Sequence, residues 1–94
     1  MAVLPAIVVH PSDNVATALS DLAVGTTLMF DHVVVTVAEP IPTGHKIALV
    51  SIAAGDPIIK YGDVVGRATH PILSGTKVHV HNVADVLPEL RRRA

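Results

Sequence analysis

The chain has 94 residues, enough for one domain, and 50% of them are hydrophobic although only 2% are aromatic. Its charged fraction of 16% is low and its formal net charge is −1, with three of its seven basic residues in Arg91-Arg92-Arg93. This composition excludes a basic nucleic-acid-binding surface, and the lack of cysteine excludes disulfides and thiolate metal sites.

The low charged fraction also affects the partners and the location that we expect for this chain. A small domain with an apolar exterior predicts an interface with another chain, and copies of the same chain are one candidate. No apolar run approaches the length of a membrane span, and no charged segment leads into an apolar segment as in an export signal. We therefore expect a cytoplasmic protein that does not associate with membranes.

Short segments of β-branched and aliphatic residues predict a mainly β fold. The predicted strands are residues 6–10, 27–30, 33–37, 46–52, 58–61, 64–68 and 77–81. Proline makes the connector over residues 39–43 stiff and extended rather than the centre of a strand.

Residues 13–22 are the one segment whose pattern clearly predicts a helix. Their apolar side chains recur at helical spacing, at positions 15, 18, 19 and 22. The helix N-terminus would present unpaired N–H groups to an anion, but capping by Ser12 or Asp13 is the favoured explanation of these residues. A second short turn is expected over residues 84–87.

A glycine turn recurs four times between apolar residues. The four segments are residues 22–28, 41–47, 52–58 and 72–78, each with glycine at its fourth position. Glycine supplies the positive φ that a tight turn requires, and the apolar ends anchor the turn to the core. Their spacing does not fit a solenoid, so we expect the same turn chemistry to recur within one small domain.

Polar side chains that could take part in binding or catalysis lie beside these turns. Gly44-His45-Lys46 places an imidazole and an ammonium after a turn glycine, where both can meet a carboxylate. A polar turn with a solvated lysine explains the same residues equally well. Lys60 and Tyr61 are expected to point to opposite faces of a strand.

His79 and His81 alternate along a predicted strand, so both rings project from one face and can share a metal, with Asn82 beside them. A metal usually needs further ligands, for which the candidates are His10, His45, Asp13 or a partner chain. Spacing alone favours two surface histidines with ordinary hydrogen bonds. No nucleophile elbow, phosphate loop or dinucleotide fingerprint is present, so a self-contained catalyst is not expected.

Four ordered motifs together resemble a known family. They are His10-Pro-x-Asp-Asn-Val-Ala-x-Ala-Leu19, Ile41-Pro-x-Gly-His-Lys-Ile-Ala-Leu49, Ile59-Lys-Tyr-Gly-x-Val-Val-Gly66 and Gly75-x-x-Val-His-Val-His-Asn82. The chain resembles the SAF domain of the UxaA family, the small module of altronate and galactarate dehydratases, to which the small subunit of sulfolactate sulfo-lyase is related. The resemblance implies one mainly β SAF (β-clip, antifreeze-like) domain over residues 1–94, with its core at about 6–84 and a basic tail at 88–94.

The resemblance also implies a role in the metal-dependent elimination of water from a sugar acid. It implies a separate large catalytic subunit, whose active site this chain completes, a sugar-acid carboxylate as substrate, and a divalent metal, typically iron(II). Under this scheme the catalytic residues are His45 and Lys46, and the metal-binding residues are His79 and His81. The expected substrate-binding residues are Asp13, Asn14, Lys60, Tyr61 and Asn82.

Three other functions stay open at the level of sequence. The small subunit of a sulfolactate-type sulfo-lyase would take part in the release of sulfite rather than water. A stand-alone small-molecule-binding module would need no catalytic partner, although the polar turns do not resemble a flat ice-binding surface. An assembly chaperone of the flagellar or pilus kind shares the fold, but such proteins are exported.

Overall fold

In the residues that the structure describes, all regular secondary structure is β-strand and none is helix. A computed structural model describes residues 5–30, 33–78 and 83–85. The strands are β1 (Ala6–Ile7), β2 (Val15–Ala18), β3 (Thr27–Phe30), β4 (Val33–Thr36), β5 (Lys46–Ala48), β6 (Pro57–Lys60), β7 (Asp63–Ala68), β8 (Lys77–Val78) and β9 (Val83–Asp85). The prediction of a mainly β fold is therefore confirmed.

The strands form three small antiparallel sheets. One sheet has the order β1-β2-β5-β8, another is the β3–β4 hairpin, and the third has the order β6-β7-β9. The register of the first sheet pairs Thr17 with Lys46 and Lys46 with Val78. This sheet therefore holds the start of β5, which carries a predicted site residue, between two neighbouring strands.

The helix predicted over residues 13–22 is wrong, because Val15–Ala18 form strand β2 between β1 and β5. Val15, Ala16 and Ala18 are all buried, so the strand lacks the alternation of polar and apolar residues that identifies a half-buried strand. A short apolar segment buried on both faces cannot be distinguished from a helix by periodicity. The turn predicted over residues 84–87 is also wrong at its start, where β9 lies.

The four glycine turns share one geometry. The φ angles of Gly25, Gly44, Gly55 and Gly75 lie between 83° and 89°. In each turn the residue after glycine donates its backbone N–H to the carbonyl three residues earlier, as Asp56 does to Ala53 at 3.0 Å. Positive φ at the third position together with this bond is typical of a type II turn. The role predicted for these glycines is confirmed.

The turns divide the domain into two related halves. Leu22 pairs with Ile41 and Ile52 pairs with Ile72, each pair through two reciprocal backbone hydrogen bonds. Each half has its own cluster of buried side chains. Matched core positions, thirty or thirty-one residues apart, are Ala18 and Ala48, Leu22 and Ile52, Leu28 and Ile58, Val37 and Ala68, Ile41 and Ile72, and Ile47 and Val78. The recurring turns therefore belong to an internal structural repeat.

Candidate functional site

Two lysines from different halves of the domain interact electrostatically. Lys46 begins β5 directly after the turn at Gly44, and Lys60 ends β6. Burial lowers the pKa of the half-buried Lys46 ammonium below its ordinary value of 10.5, and repulsion by the charge of Lys60 lowers this pKa further. Tyr61 acts in the opposite direction on the same pKa. Lys46, Lys60 and Tyr61 thus influence one another electrostatically, and we call these three residues the two-lysine site.

Tyr61 contacts the lysine that precedes it. The Lys60 Nζ atom lies 4.7 Å from the centre of the Tyr61 ring, within the range of a cation–π contact. The prediction that the two side chains point to opposite faces of a strand is therefore wrong. β6 ends at Lys60, and Tyr61 has a φ of 56°, so the alternation of a strand no longer applies to its side chain.

Asp13 fixes the turn that follows Tyr61. Its Oδ1 accepts the Gly62 N–H at 2.8 Å and its Oδ2 accepts the His10 N–H at 3.1 Å. Burial by itself raises the pKa of this carboxyl, but the backbone N–H groups of Gly62, His10, Tyr61 and Val9 outweigh it, so the pKa lies below 3.8. Because both oxygens already accept backbone donors, the geometry favours a positioning role for Asp13 over direct substrate contact.

Asn14 fixes the strand that carries Lys60. Its Oδ1 accepts the Ile59 N–H at 2.8 Å, and its Nδ2 donates to the Pro57 carbonyl at 2.9 Å. The Asn14 backbone N–H also donates to the Ile59 carbonyl at 3.2 Å. The Asn14 side chain thus forms with β6 the two hydrogen bonds that a residue of a paired strand would form. Like Asp13, Asn14 therefore fixes the backbone next to Lys60 and Tyr61.

His10, which the sequence offered only as a possible further metal ligand, lies next to Gly62. Its ring lies against Gly62, where a Cβ atom would come within 3.0 Å of Cδ2. The His10 Nδ1 atom accepts the Ser12 N–H at 3.1 Å, so the proton of the neutral ring lies on Nε2. The motif His10-Pro-x-Asp was the sequence signal that could have identified His10, since Asp13 and His10 hold the same turn in place.

His45 lies beside Lys46 at the last position of the Gly44 turn and is half-buried. Its N–H donates to the Pro42 carbonyl at 3.1 Å, and its carbonyl accepts the Ala18 N–H at 2.8 Å. These bonds fix the backbone at the entry to β5. Joint binding of one anion by His45 and Lys46 stays a prediction.

The predicted metal ligands His79 and His81, and the predicted substrate-binding residue Asn82, lie outside the described residues. Within residues 5–30, 33–78 and 83–85, no group of three His, Asp or Glu side chains could hold a metal ion. Over the same part of the chain, no helix is long and apolar enough to cross a membrane.

Several characterised proteins are similar to this chain. Altronate dehydratase of Escherichia coli (strain K12) is 45% identical over 82 residues, which cover 87% of this chain and 17% of that protein. Altronate dehydratase of Bacillus subtilis (strain 168) is 41% identical over 83 residues, or 88% of this chain and 17% of that protein. The (2R)-sulfolactate sulfo-lyase subunit alpha of Chromohalobacter salexigens is 42% identical over 57 residues, or 61% of this chain and 55% of that subunit.

The chain therefore spans less than a fifth of the altronate dehydratases that it matches. The altronate/galactarate dehydratase SAF domain matches residues 4–86, a range that includes all nine described strands. The resemblance indicated by the four sequence motifs is confirmed. With its mainly β architecture, this chain belongs to the altronate/galactarate dehydratase SAF domain family.

Proposed function

We propose that this chain is the small SAF component of a sugar-acid dehydratase and completes the active site of a larger catalytic polypeptide. The observation that carries the proposal is the match of the family's SAF domain to residues 4–86. The charge of Lys60, which acts on Lys46 from a second family motif, supports it. The names of the relatives support the reaction class, since two of them are altronate dehydratases.

The two lysines suit the charge that develops in such an elimination. Removal of a proton from the carbon next to a carboxylate places negative charge on the carboxylate oxygens, and departure of the neighbouring hydroxyl with a proton yields water. A cation held near those oxygens stabilises this charge. Lys46 is half-buried, so water screens its charge less than that of an exposed lysine. We assign Lys46 and Lys60 to the carboxylate and His45 to proton transfer beside it.

A larger polypeptide would supply the remaining groups. The chain lacks the paired carboxylates and nucleophile motifs of a self-contained catalyst, and its altronate dehydratase relatives are far longer. The proposed divalent metal is iron(II), with His79 and His81 as candidate ligands. The roles assigned to Lys46, Lys60 and His45 are binding of the carboxylate and proton transfer, and neither is a role in holding the metal. The proposed location is the cytoplasm.

The experiment that tests the proposal is purification of the tagged chain with its partner from the native host, followed by an assay with altronate and galactarate. We expect one large partner and sugar-acid turnover in the eluate. Lys46→Ala should lower kcat/KM by about a hundredfold, as loss of one charge-stabilising donor does in other enzymes. Arg67→Gln is the control, because Arg67 is an exposed cation outside the two-lysine site and should leave kcat/KM unchanged.

Two results would contradict the proposal. One is a Lys46→Ala complex with the turnover of the unmodified complex. The other is a chain that is recovered alone, monomeric and inactive, which would favour the stand-alone binding module.

A second candidate function is the small subunit of a sulfolactate-type sulfo-lyase. The supporting observation is similarity, since one sulfo-lyase subunit alpha is 42% identical to this chain over 57 residues. The carboxylate would be held in the same way, but sulfite would leave instead of water. Sulfite release from sulfolactate by the same eluate, without sugar-acid turnover, would establish this function in place of the first.

A further inference from the structure

We infer that His10 is a hydrogen-bond donor to the substrate, and that its ring Nε2–H binds a carboxylate oxygen of the sugar acid next to the turn that follows Lys60 and Tyr61. In the sequence, His10 was a candidate only for a metal ligand. The identity of the bound molecule rests on the proposed function, whereas the position of the ring proton is a property of this chain alone.

Two donors of Ser12 meet one ring nitrogen of His10. The Ser12 backbone N–H donates to Nδ1 at 3.1 Å, and the Ser12 hydroxyl oxygen lies 2.8 Å from the same atom. A backbone N–H can only donate, so Nδ1 is the acceptor of the ring and the hydroxyl donates to it as well. The Nε2 atom therefore carries the proton of the neutral ring.

This proton position excludes two other roles for the neutral His10 ring. A metal binds an imidazole nitrogen with a free lone pair, and the other ring nitrogen then donates its N–H to a carbonyl, a carboxylate or water. Here Nδ1 accepts two donors and Nε2 holds a proton. For the same reason Nε2 cannot take up a proton as a general base. Towards a ligand, the neutral ring can act only as a hydrogen-bond donor.

One buried carboxylate holds His10 and Gly62 in fixed positions. Asp13 is 5% exposed, and its Oδ2 accepts the His10 N–H at 3.1 Å while its Oδ1 accepts the Gly62 N–H at 2.8 Å. The Asp13 N–H in turn donates to the His10 carbonyl at 3.0 Å. These bonds order the two backbone segments before a ligand binds, and such preorganisation lowers the cost of binding.

The His10 ring packs on Gly62 along the edge that includes the donor atom. A Cβ atom at position 62 would lie 3.0 Å from Cδ2 and 3.3 Å from Nε2. Gly62, with a φ of 78°, thus permits both the backbone conformation and the close approach of the ring. It directly follows Lys60 and Tyr61, where the ammonium lies 4.7 Å from the ring centre. Gly62 therefore brings the His10 donor to the turn that follows this cation.

A ligand can reach the Nε2–H group. His10 is exposed, and no acceptor among the described residues takes a hydrogen bond from Nε2. His10 also lines an apolar groove between residues 5–11 and 27–30, whose other lining residues carry no titratable group. A carboxylate suits this donor, because hydrogen bonds to ionised acceptors are roughly twice as strong as neutral ones. The charge of Lys60, two residues before Gly62, favours the same kind of acceptor.

The first test uses the full chain without a partner. NMR spectra that correlate the ring protons with the imidazole nitrogens should show a proton on Nε2 of His10 and none on Nδ1. Ser12→Ala should raise the Nδ1–H form relative to the Nε2–H form about two- to tenfold, the effect of losing one hydrogen bond. The signals of His70, whose Nδ1 lies 3.0 Å from the Thr69 hydroxyl, should not change in this variant. Addition of zinc ions should leave the His10 signals unmoved.

The second test uses the enzyme assembled with its large partner. His10→Gln keeps an N–H donor near the position of Nε2, whereas His10→Phe keeps a ring on Gly62 without a donor. We expect His10→Phe to lower kcat/KM for the sugar acid about ten- to hundredfold, as loss of a hydrogen bond to a charged group does. His10→Gln should recover most of this loss. His70→Phe removes an exposed imidazole elsewhere and should leave kcat/KM unchanged.

Four results would overturn the inference: a proton on Nδ1 of His10 in the unmodified chain, movement of the His10 signals with zinc, normal kcat/KM in His10→Phe, or equal losses in His10→Phe and His10→Gln. Failure of the proposed function is a different result. If the unmodified complex turns over no sugar acid, the carboxylate assigned to His10 is wrong as well, and the position of the ring proton is still decided by the first test.

Discussion

The Asp13 side chain links the stability of the domain in acid to the geometry of the candidate site. The carboxylate is only 5% exposed and accepts backbone N–H groups from two separate segments. Such bonds to a charged acceptor are stronger than neutral ones. The same interactions set the position of Gly62 and therefore of Tyr61 before it. Stability and site geometry thus depend on one residue.

The lowered pKa of Asp13 predicts the direction of the pH dependence. The folded state holds this carboxyl below 3.8, so its ionised form stabilises the fold above about pH 4. That stabilisation should be lost as pH falls from about 4 through the lower folded pKa. Asp13→Asn should lower the free energy of unfolding at pH 7 by roughly 1–3 kcal/mol and flatten its pH dependence below pH 4, measured by urea denaturation.

A control for this measurement is Asp21→Asn. The pKa of Asp21 is also lowered, first by the Thr43 backbone N–H and then by the Thr43 hydroxyl, but this carboxyl is exposed. Its removal should leave most of the acid dependence intact. Parallel acid curves for the unmodified chain and Asp13→Asn would contradict the role given to Asp13.

At the scale of elements, the four turns have one backbone geometry but different surroundings. At Gly25 nothing lies within 4 Å of the position that a Cβ atom would take. At Gly75 the same atom would collide with the Thr36 carbonyl oxygen. Gly75 is also buried and accepts the Ala38 N–H at 2.8 Å. This glycine therefore serves both the turn and the contact between the two halves.

Alanine substitutions at these two turns should separate the two effects. Gly25→Ala places alanine at positive φ, which costs about 1–2 kcal/mol. Gly75→Ala adds a collision with backbone, so its cost should be larger by about 1–3 kcal/mol. Chemical denaturation of both variants measures the difference. Equal losses would show that the Thr36 segment moves away without cost.

The strand elements also show where prediction from sequence succeeds and fails. Hairpin strands such as β3 and β7 were predicted within one residue, because their alternation and their flanking turns are local signals. β2 was predicted as a helix, because its small apolar residues carry no signal of period two. What makes this segment a strand is its pairing with β1 and β5, which are distant in sequence from one another.

At the scale of the whole molecule, apolar side chains line an open groove. The groove has a volume of about 790 Å³ and runs between residues 5–11 and residues 27–30. Met29 lies along it and is 79% exposed, and its strand partner Val34 is 62% exposed. Such exposure on a small domain is typical of a surface that another polypeptide covers. Under the proposed function that polypeptide is the large catalytic partner.

This assignment predicts the effect of charge at Met29 in the groove and at its strand partner Val34 beside the groove. The double variant Met29→Lys, Val34→Lys should remain folded, because exposed positions change stability by no more than about 0.5 kcal/mol. It should weaken association with the large partner at least about tenfold, since two lysines would be buried without partners. Co-purification at graded concentrations measures this. Leu73→Lys, at a turn position that is 65% exposed, is the control and should associate normally.

A loss of association in Leu73→Lys equal to that in the double variant would contradict a specific groove interface. Normal association of the double variant would move the interface to another face of the domain.

The sequence by itself determined the β-rich class, the positions of the four turns and the family. These properties follow from local requirements, such as glycine at positive φ, or from ordered motifs that are present in the chain itself. Tertiary structure alone decided that β2 is a strand and that the charge of Lys60 acts on Lys46. It also gave Asp13 and Asn14 their partners in the β6–β7 segment. Each of these depends on contacts between residues far apart in the chain, whose free energy no local pattern encodes.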